Sequence, residues 1–141
     1  MESDQRLPTG QWTGFFLDTR LSRRGWMHLY LEFAEGKLKG EGTDFVGPWL
    51  AEGQYDTKLG TCVWAKRYVG AHQVNYRGNI DQNGIVGVWE IGPITGEFHI
   101  WPASMSHLSE LYLADDRELP APTMQLGKVR SDDSVSDSAS F

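Results

Sequence analysis

Hydrophobic and polar residues alternate along most of the N-terminal two-thirds of the chain. The clearest run is Gly25–Ala34, in which every second residue is apolar: Met27, Leu29, Leu31 and Phe33. A repeat of two residues is typical of a β-strand with one buried face. The same pattern returns between closely spaced glycines, and glycine at this density is unfavourable in helices. The sequence therefore predicts many short strands joined by tight turns.

The turn signals divide this pattern into eight predicted strands. Asp81-Gln82-Asn83-Gly84 is the strongest signal, because Asn-Gly accepts positive φ at both central positions of a two-residue turn. Glu35-Gly36 and Gly92–Gly96 mark two further turns. The predicted strands are Gln11–Asp18, Gly25–Ala34, Lys37–Thr43, Trp49–Asp56, Thr61–Val69, His72–Ile80, Ile85–Ile91 and Glu97–Trp101.

The short connections determine how these strands can pair. Parallel pairing needs crossovers of about a dozen residues, so the pairing is expected to be antiparallel and sequential. Eight such strands favour an all-β fold, an antiparallel up-and-down barrel whose closure removes exposed edges. A two-sheet sandwich is the alternative, but it usually contains longer Greek-key connections.

The barrel is predicted to occupy residues 10–102, after an N-terminal extension at 1–9. Residues 103–113 carry apolar side chains at helical spacing, which predicts a short amphipathic helix against the barrel wall or across one mouth. Residues 114–141 form an acidic, serine-rich tail with little to bury, so we expect that tail to be disordered.

Composition narrows the classes of function and the compartment. The 141 residues carry a net charge of −6, which argues against a nucleic-acid surface. No apolar run reaches the roughly 20 residues that span a membrane, and the N-terminus lacks the apolar core of a secretory signal. The single cysteine, Cys62, excludes an internal disulfide and fits a reducing compartment. We therefore expect a cytoplasmic protein without nucleic-acid or membrane partners.

Several short motifs resemble those of calycin barrels, and most closely those of the avidin and streptavidin family. The resemblance covers roughly residues 10–92 and combines glycine and aromatic positions on successive predicted strands. The motifs are Gly10-Gln11-Trp12-Thr13-Gly14, Leu38-Lys39-Gly40, Gly53-Gln54-Tyr55-Asp56-Thr57, Val63-Trp64-Ala65-Lys66, and Asp81-x-Asn83-Gly84 followed by Trp89. This resemblance implies a calycin-type barrel with a ligand in its lumen, and it implies a homo-oligomer.

The resemblance also suggests which residues surround a ligand. Trp64 and Trp89 match two positions whose aromatic rings box the bicyclic ring of biotin, and Tyr76 stands where a third tryptophan is expected. The polar contacts differ, since Gly42 and Asp44 stand where the family pattern has a tyrosine and a serine. An anionic Asp44 would oppose the ureido oxygen of biotin. The implied ligand is therefore a small molecule other than biotin.

The residues themselves leave two interpretations of the aromatic positions open. Small barrels fill their interior with side chains, but an eight-stranded barrel can also hold one small ligand. In the second case the walls would be Trp64, Tyr76 and Trp89, and the polar groups would be His72 and Asp44. The histidines lie on separate elements without metal-ligand spacing, so no metal or other cofactor is predicted.

The leading hypothesis is a non-enzymatic barrel that binds a small, partly apolar ligand in its lumen. The alternative is an interaction or assembly scaffold with a filled barrel, which would bind a protein through the helix 103–113 or through an exposed face bearing Trp26 and Tyr30. An enzyme would need a constellation in the lumen such as His72 with Asp44, and no catalytic motif indicates one.

Overall fold

A computed structural model of the chain describes residues 1–18, 20, 24–44, 46–105 and 107–111, and within them it contains a closed eight-stranded barrel. The predicted tail 114–141 lies outside the described residues. Seven strands lie within two residues of their predicted bounds, whereas β8 begins three residues earlier than predicted. The strands are β1 Gly10–Asp18, β2 Gly25–Ala34, β3 Lys37–Asp44, β4 Gly47–Asp56, β5 Thr61–Tyr68, β6 Gln73–Asp81, β7 Gly84–Ile91 and β8 Ile94–Pro102.

The topology is the up-and-down meander that the short connections predict. Each strand pairs antiparallel with the next, and β1 pairs with β8 from Trp12 opposite Pro102 to Asp18 opposite Gly96. This last pairing closes the sheet and leaves no unpaired edge. The sandwich alternative is therefore wrong.

Side chains at alternate positions of every strand point inward and form one core. In β2 the inward residues are the four apolar ones of the sequence pattern, and all four are buried. In β6 the inward series includes Val74 and Tyr76, and both are buried. Trp12, Trp89, Phe33 and Phe98 are among the largest side chains that are almost completely buried.

The N-terminal segment closes one mouth of the barrel. Leu7 is fully buried, and the backbone N–H of Glu2 donates to Phe33 O at 2.9 Å. The Tyr55 hydroxyl donates to Glu2 Oε1 at 2.7 Å, and burial together with this hydrogen bond raises the pKa of Tyr55 to about 12. The second mouth, at the opposite end, lies where β1, β3, β5 and β7 end and where β2, β4, β6 and β8 begin.

The Asn83-Gly84 turn differs from the prediction. Asp81 pairs with Gly84, so the two turn residues are Gln82 and Asn83, and Gly84 is already the first residue of β7. Gly84 has φ +114°, whereas Asn83 keeps a negative φ, and its backbone N–H donates to Asp81 Oδ1 at 2.7 Å. The turn with positive φ at both central positions is instead Glu35-Gly36, at 53° and 79°.

The C-terminal segment packs on the outer wall. The helix occupies residues 107–111, shorter than the predicted 103–113, and positions 112 and 113 lie outside the described residues. Leu108 is buried against Phe15 and Trp101, and Trp26 packs beside them. These residues form a second, smaller core outside the barrel. Trp26 is therefore half-buried. On the face that was predicted to expose both Trp26 and Tyr30, only Tyr30 remains exposed.

Strand β7 approaches β6 so closely that one of its glycines has no room for a side chain. A Cβ on Gly87 would collide with the backbone carbonyl of Arg77 and with Gly78 Cα. We expect Gly87→Ala to lower the free energy of unfolding by about 1–3 kcal/mol, because neighbouring backbone must move to admit the methyl group. Urea denaturation measures this, with Val86→Ala on the exposed face as the control. An unchanged midpoint for Gly87→Ala would contradict this close approach.

Candidate functional site

A lysine lies among the inward-facing residues of β5. The inward series of this strand is Cys62, Trp64, Lys66 and Tyr68. Lys66 is only 5% exposed, and its strand neighbours on the two sides are Ala51 and Val74. Lysine is rarely buried unless it is paired, so this position marks the part of the interior with the most distinctive chemistry.

Three aromatic rings surround the Lys66 ammonium. Nζ lies 5.1 Å from the ring centroid of Trp49, 5.3 Å from that of Tyr68 and 5.7 Å from that of Tyr76. A cation within about 6 Å of a ring face is attracted to it. These rings come from β4, β5 and β6, so the barrel wall itself builds the aromatic cage.

Asp44 ends β3 beside this cage. Its Oδ2 accepts a hydrogen bond from the Tyr68 hydroxyl at 2.6 Å, and its Oδ1 accepts one from the Val46 backbone N–H at 2.9 Å. Lys66 Nζ is 3.9 Å from Oδ2, close enough for charge attraction but too far for a hydrogen bond. Among the described residues, Lys66 therefore has no hydrogen-bond acceptor.

His72 reaches the same region from the β5–β6 connection, directly before β6. Its ring centroid lies 5.1 Å from that of Tyr68. Its Nε2 is buried and has no hydrogen-bond partner among the described residues. Most buried polar side-chain atoms in proteins have a partner, so this nitrogen is available to a bound molecule. Asp44, Trp49, Lys66, Tyr68, His72 and Tyr76 together are called the Lys66 cluster below.

The electrostatics of the Lys66 cluster disfavour charge. Burial lowers the pKa of Lys66 to about 8, although the Asp44 carboxylate opposes this shift. Burial and then the nearby Lys66 charge lower the pKa of His72. Burial raises the pKa of Tyr68, and its hydrogen bond to Asp44 adds to that shift. At neutral pH the cluster therefore combines neutral hydroxyls, a neutral imidazole and an amine that is easily deprotonated.

The structure places the predicted site residues in two adjoining groups. Asp44, His72 and Tyr76 meet around Lys66, and Trp64 lies directly behind Tyr76. The rings of Trp64 and Tyr76 stack with centroids 4.9 Å apart and an interplanar angle of 4°. Trp89 lies directly opposite Tyr76 in the β6–β7 pairing, while its ring N–H donates to Leu17 O at 3.0 Å and its ring packs edge-on against Phe16.

Sequence reasoning did not identify Lys66, Tyr68 or Trp49 as site residues. The signal for Lys66 was present, since it falls in phase with Cys62 and Trp64 on an alternating strand. A lysine in phase with buried apolar residues would have to enter the interior. Trp49 and Tyr68 carried no comparable signal, because aromatic residues in phase with a core are usually part of the core.

Other parts of the described chain offer weaker candidates. No group of three or more His, Cys, Asp or Glu side chains converges as a metal site there. Cys62 is buried, and that burial raises its pKa to about 12, so it is not a reactive thiolate. An open groove of about 610 Å³ crosses the outside of β4–β7 and is bordered by polar residues, including the Arg77–Glu90 ion pair. No described helix is long and apolar enough to cross a membrane.

In comparisons with known proteins, no family model, no curated protein and no solved structure matches this chain. The closed eight-stranded antiparallel barrel is consistent with a calycin-like fold. The chemistry of the interior therefore has to be inferred from its own residues.

Proposed function

We propose that this protein is a non-catalytic binding protein for a small, partly apolar molecule, which it holds at the Lys66 cluster. The observation that carries the proposal is that two polar groups inside the barrel, Lys66 Nζ and the completely buried His72 Nε2, have no hydrogen-bond partner among the described residues. Burying such a group without a partner costs about 1–3 kcal/mol, and more when the group is charged. A bound ligand with an oxygen acceptor would offset that cost.

The cluster also limits what this ligand can be. Trp49 and Tyr68 supply flat apolar surface, which suits a ring or a short hydrocarbon body. Lys66 donates to a carbonyl or carboxylate oxygen, and His72 donates or accepts according to its tautomer. Asp44 does not need the ligand, because both of its oxygens already accept hydrogen bonds from the protein. Its role in this proposal is to orient Tyr68 and to attract the Lys66 charge.

The resemblance to the avidin family supports the position of the proposed site inside the barrel, but not the set of aromatic residues. The proposed ligand contacts Trp49, Tyr68 and Tyr76. Trp64 supports Tyr76 from behind, and Trp89, opposite Tyr76 in the β6–β7 pairing, directs its ring toward Leu17 and Phe16 of β1. The proposed ligand is not biotin.

Three aromatic probes that differ only in one group test the proposal: 2-naphthoate, 2-naphthaldehyde and 2-naphthylmethanol. At a probe concentration about a hundredfold above Kd, binding is expected to raise the free energy of unfolding by about 2.7 kcal/mol. Thermal melting measures this rise, and quenching of tryptophan fluorescence gives Kd. If none of the three probes changes either signal, the proposal is wrong.

Variants locate the binding within the barrel. Lys66→Met is expected to weaken binding of 2-naphthoate by about tenfold or more, because it removes a hydrogen bond from a charged donor. Lys39→Met is the matched control, since Lys39 is exposed on the outer face of β3 and should leave Kd unchanged. Equal effects of the two substitutions would place the binding outside the Lys66 cluster.

The scaffold alternative has a separate test. A filled barrel that assembles with itself or with a partner would use an exposed apolar face, and Leu50 and Val63 are the most exposed apolar side chains on the outer faces of β4 and β5. Light scattering on the purified chain measures its oligomeric state. A dimer broken by Leu50→Glu would favour the scaffold, whereas a strict monomer would count against self-assembly.

A further inference from the structure

We propose that the ligand is a carbonyl compound, an aldehyde or ketone with an aromatic or other apolar body, and that Lys66 Nζ binds it covalently and reversibly as an imine. This inference rests on the proposed function and narrows it to one class of ligand and one kind of bond. The inference follows from the position of the Lys66 amine inside the barrel and from the groups that face it. It also follows from the ability of a neutral amine to attack a carbonyl carbon.

The surroundings of Lys66 offer its nitrogen ring faces and a distant carboxylate, but no hydrogen-bond acceptor among the described residues. Nζ lies among the rings of Trp49, Tyr68 and Tyr76 and donates no hydrogen bond to any described residue. A lysine kept for its charge would be expected to contact its carboxylate directly, yet Asp44 stays 3.9 Å away and accepts from Tyr68 instead. An amine that becomes an imine nitrogen needs fewer hydrogen-bond acceptors than an ammonium does.

The free amine needed for attack is present near neutral pH. Because burial lowers the pKa of Lys66 to about 8, on the order of a tenth of the molecules carry the neutral amine at pH 7. An exposed lysine, with an ordinary pKa near 10.4, carries the neutral amine in well under about a thousandth of the molecules. Desolvation of this kind is one of the ways in which proteins activate a lysine toward carbonyl groups.

The reaction balances with the residues present. The Lys66 nitrogen lone pair attacks the carbonyl carbon, and the π electrons move to the oxygen. A proton passes from nitrogen to that oxygen, which gives a carbinolamine. Loss of the hydroxyl group with one more proton releases water and leaves the C=N bond. Water reverses each step, so no oxidant or reductant is consumed.

Two neighbours of Lys66 have defined roles in this reaction. His72 Nε2 is buried and unpartnered, so it can take the proton from nitrogen and return it to the departing hydroxyl. Asp44 lies 3.9 Å from Nζ and stabilises the positive charge of a protonated imine. The Tyr68 hydroxyl holds Asp44 in place with its 2.6 Å hydrogen bond.

Reductive trapping on the full chain tests the inference. The protein is incubated with 2-naphthaldehyde at neutral pH, treated with cyanoborohydride, which reduces only an imine to a stable secondary amine, and then digested for peptide mass mapping. We expect modification of Lys66 to exceed that of Lys37, Lys39 and Lys58 by about tenfold or more, because burial lowers the pKa of Lys66 whereas those three lysines are exposed. This comparison within one protein does not depend on any variant folding.

Two substitutions separate the roles of the residues. Lys66→Arg keeps the positive charge but cannot form an imine, so it should abolish the specific adduct. His72→Gln keeps a polar amide at that position but cannot carry a proton, so trapping measured at saturating 2-naphthaldehyde should become about tenfold slower or more. An unchanged trapping rate in His72→Gln would overturn the proton-transfer role of His72.

The outcomes distinguish this inference from the function on which it depends. If 2-naphthaldehyde stabilises the protein but Lys66 is modified no faster than the exposed lysines, the imine is wrong and the binding function stands. If the aldehyde, the carboxylate and the alcohol all fail to bind, the proposed function itself is wrong. Selective modification of Lys66 that 2-naphthoate blocks by competition would support both.

Discussion

Replacing Trp64 with alanine is expected to lower the free energy of unfolding by about 3–5 kcal/mol, the range for deleting a large buried aromatic side chain. Trp64 is 4% exposed, stacks on Tyr76 at 4.9 Å and packs edge-on against Phe98 at 5.2 Å. These rings lie across the middle of the barrel, so the deletion leaves a cavity that the stiff wall cannot close. Urea denaturation followed by far-ultraviolet circular dichroism measures the loss.

A neighbour on the same strand provides the control for this prediction. Val63 points outward and is half-exposed, so Val63→Ala should change the free energy of unfolding by about 0.5 kcal/mol or less. Indole added to Trp64→Ala should restore part of the lost stability by filling the cavity. A loss below about 1 kcal/mol would mean that Trp64 does not support Tyr76, because burial of a ring this large contributes more.

Replacing Lys66 with methionine is expected to have the opposite effect and raise the free energy of unfolding at neutral pH by about 1–4 kcal/mol. Methionine matches the length of the lysine stem and fills the aromatic cage without a charge. Asp44 is not stranded by the change, since it is one-third exposed and keeps its hydrogen bonds from Tyr68 and Val46. The net effect is the removal of a desolvation cost.

The difference in free energy of unfolding between Lys66→Met and wild type should change with pH in a definite direction. The pKa of Lys66 is about 8 in the folded protein and is expected to be near 10.4 in the unfolded chain, where the lysine is solvated. Between these values the unfolded chain binds more protons than the folded one, so wild-type stability rises with pH. The advantage of Lys66→Met should therefore be largest below about pH 8 and shrink toward pH 10.

Denaturation of both proteins at neutral pH and at a pH just below 10 measures this change. Taking the difference between wild type and variant cancels the contributions of the tyrosines and other groups that both proteins share. Lys39→Met, on the exposed face of β3, should show no such trend. If the difference in free energy of unfolding between wild type and Lys66→Met does not vary with pH, the lowered pKa of Lys66 is contradicted.

A stabilising substitution at the proposed site would also bear on function. Natural proteins often keep groups that cost stability where binding or chemistry needs them. If Lys66→Met stabilises the fold and also weakens the binding of 2-naphthoate, Lys66 is a group that costs stability but serves binding. If methionine stabilises the fold and leaves binding unchanged, the lysine serves neither purpose that we propose.

The strands and their order could be predicted from the sequence because each depends on local pattern. The β2 alternation was sufficient to assign Met27 and Phe33 to the interior, and short connections required neighbouring strands to pair. The strand ends were less accurate. β8 begins at Ile94 because Ile94 pairs with Ile91 across a two-residue turn, and no residue-type signal distinguishes that turn from a longer one.

The candidate site was predicted only in part, because some of its contacts join residues that lie far apart along the chain. Asp44, His72 and Tyr76 were singled out by residue type and by resemblance, and they do meet. Trp89 lies opposite Tyr76 on the same wall, but its ring N–H is held by Leu17 O across the barrel seam, a contact that exists only after β1 and β8 pair. Lys66 was overlooked because a lysine in a strand is ordinarily a solvent-facing residue.

By itself, therefore, the sequence determined the eight strands, their antiparallel order and the inward face of most of them. These properties depend on alternation and turn length, which act over a few residues. Only the tertiary structure decided that the N-terminal segment closes one mouth and that a buried amine lies within an aromatic cage near Asp44 and His72. Those contacts join residues far apart along the chain, and closing the barrel is the physical event that brings them within reach.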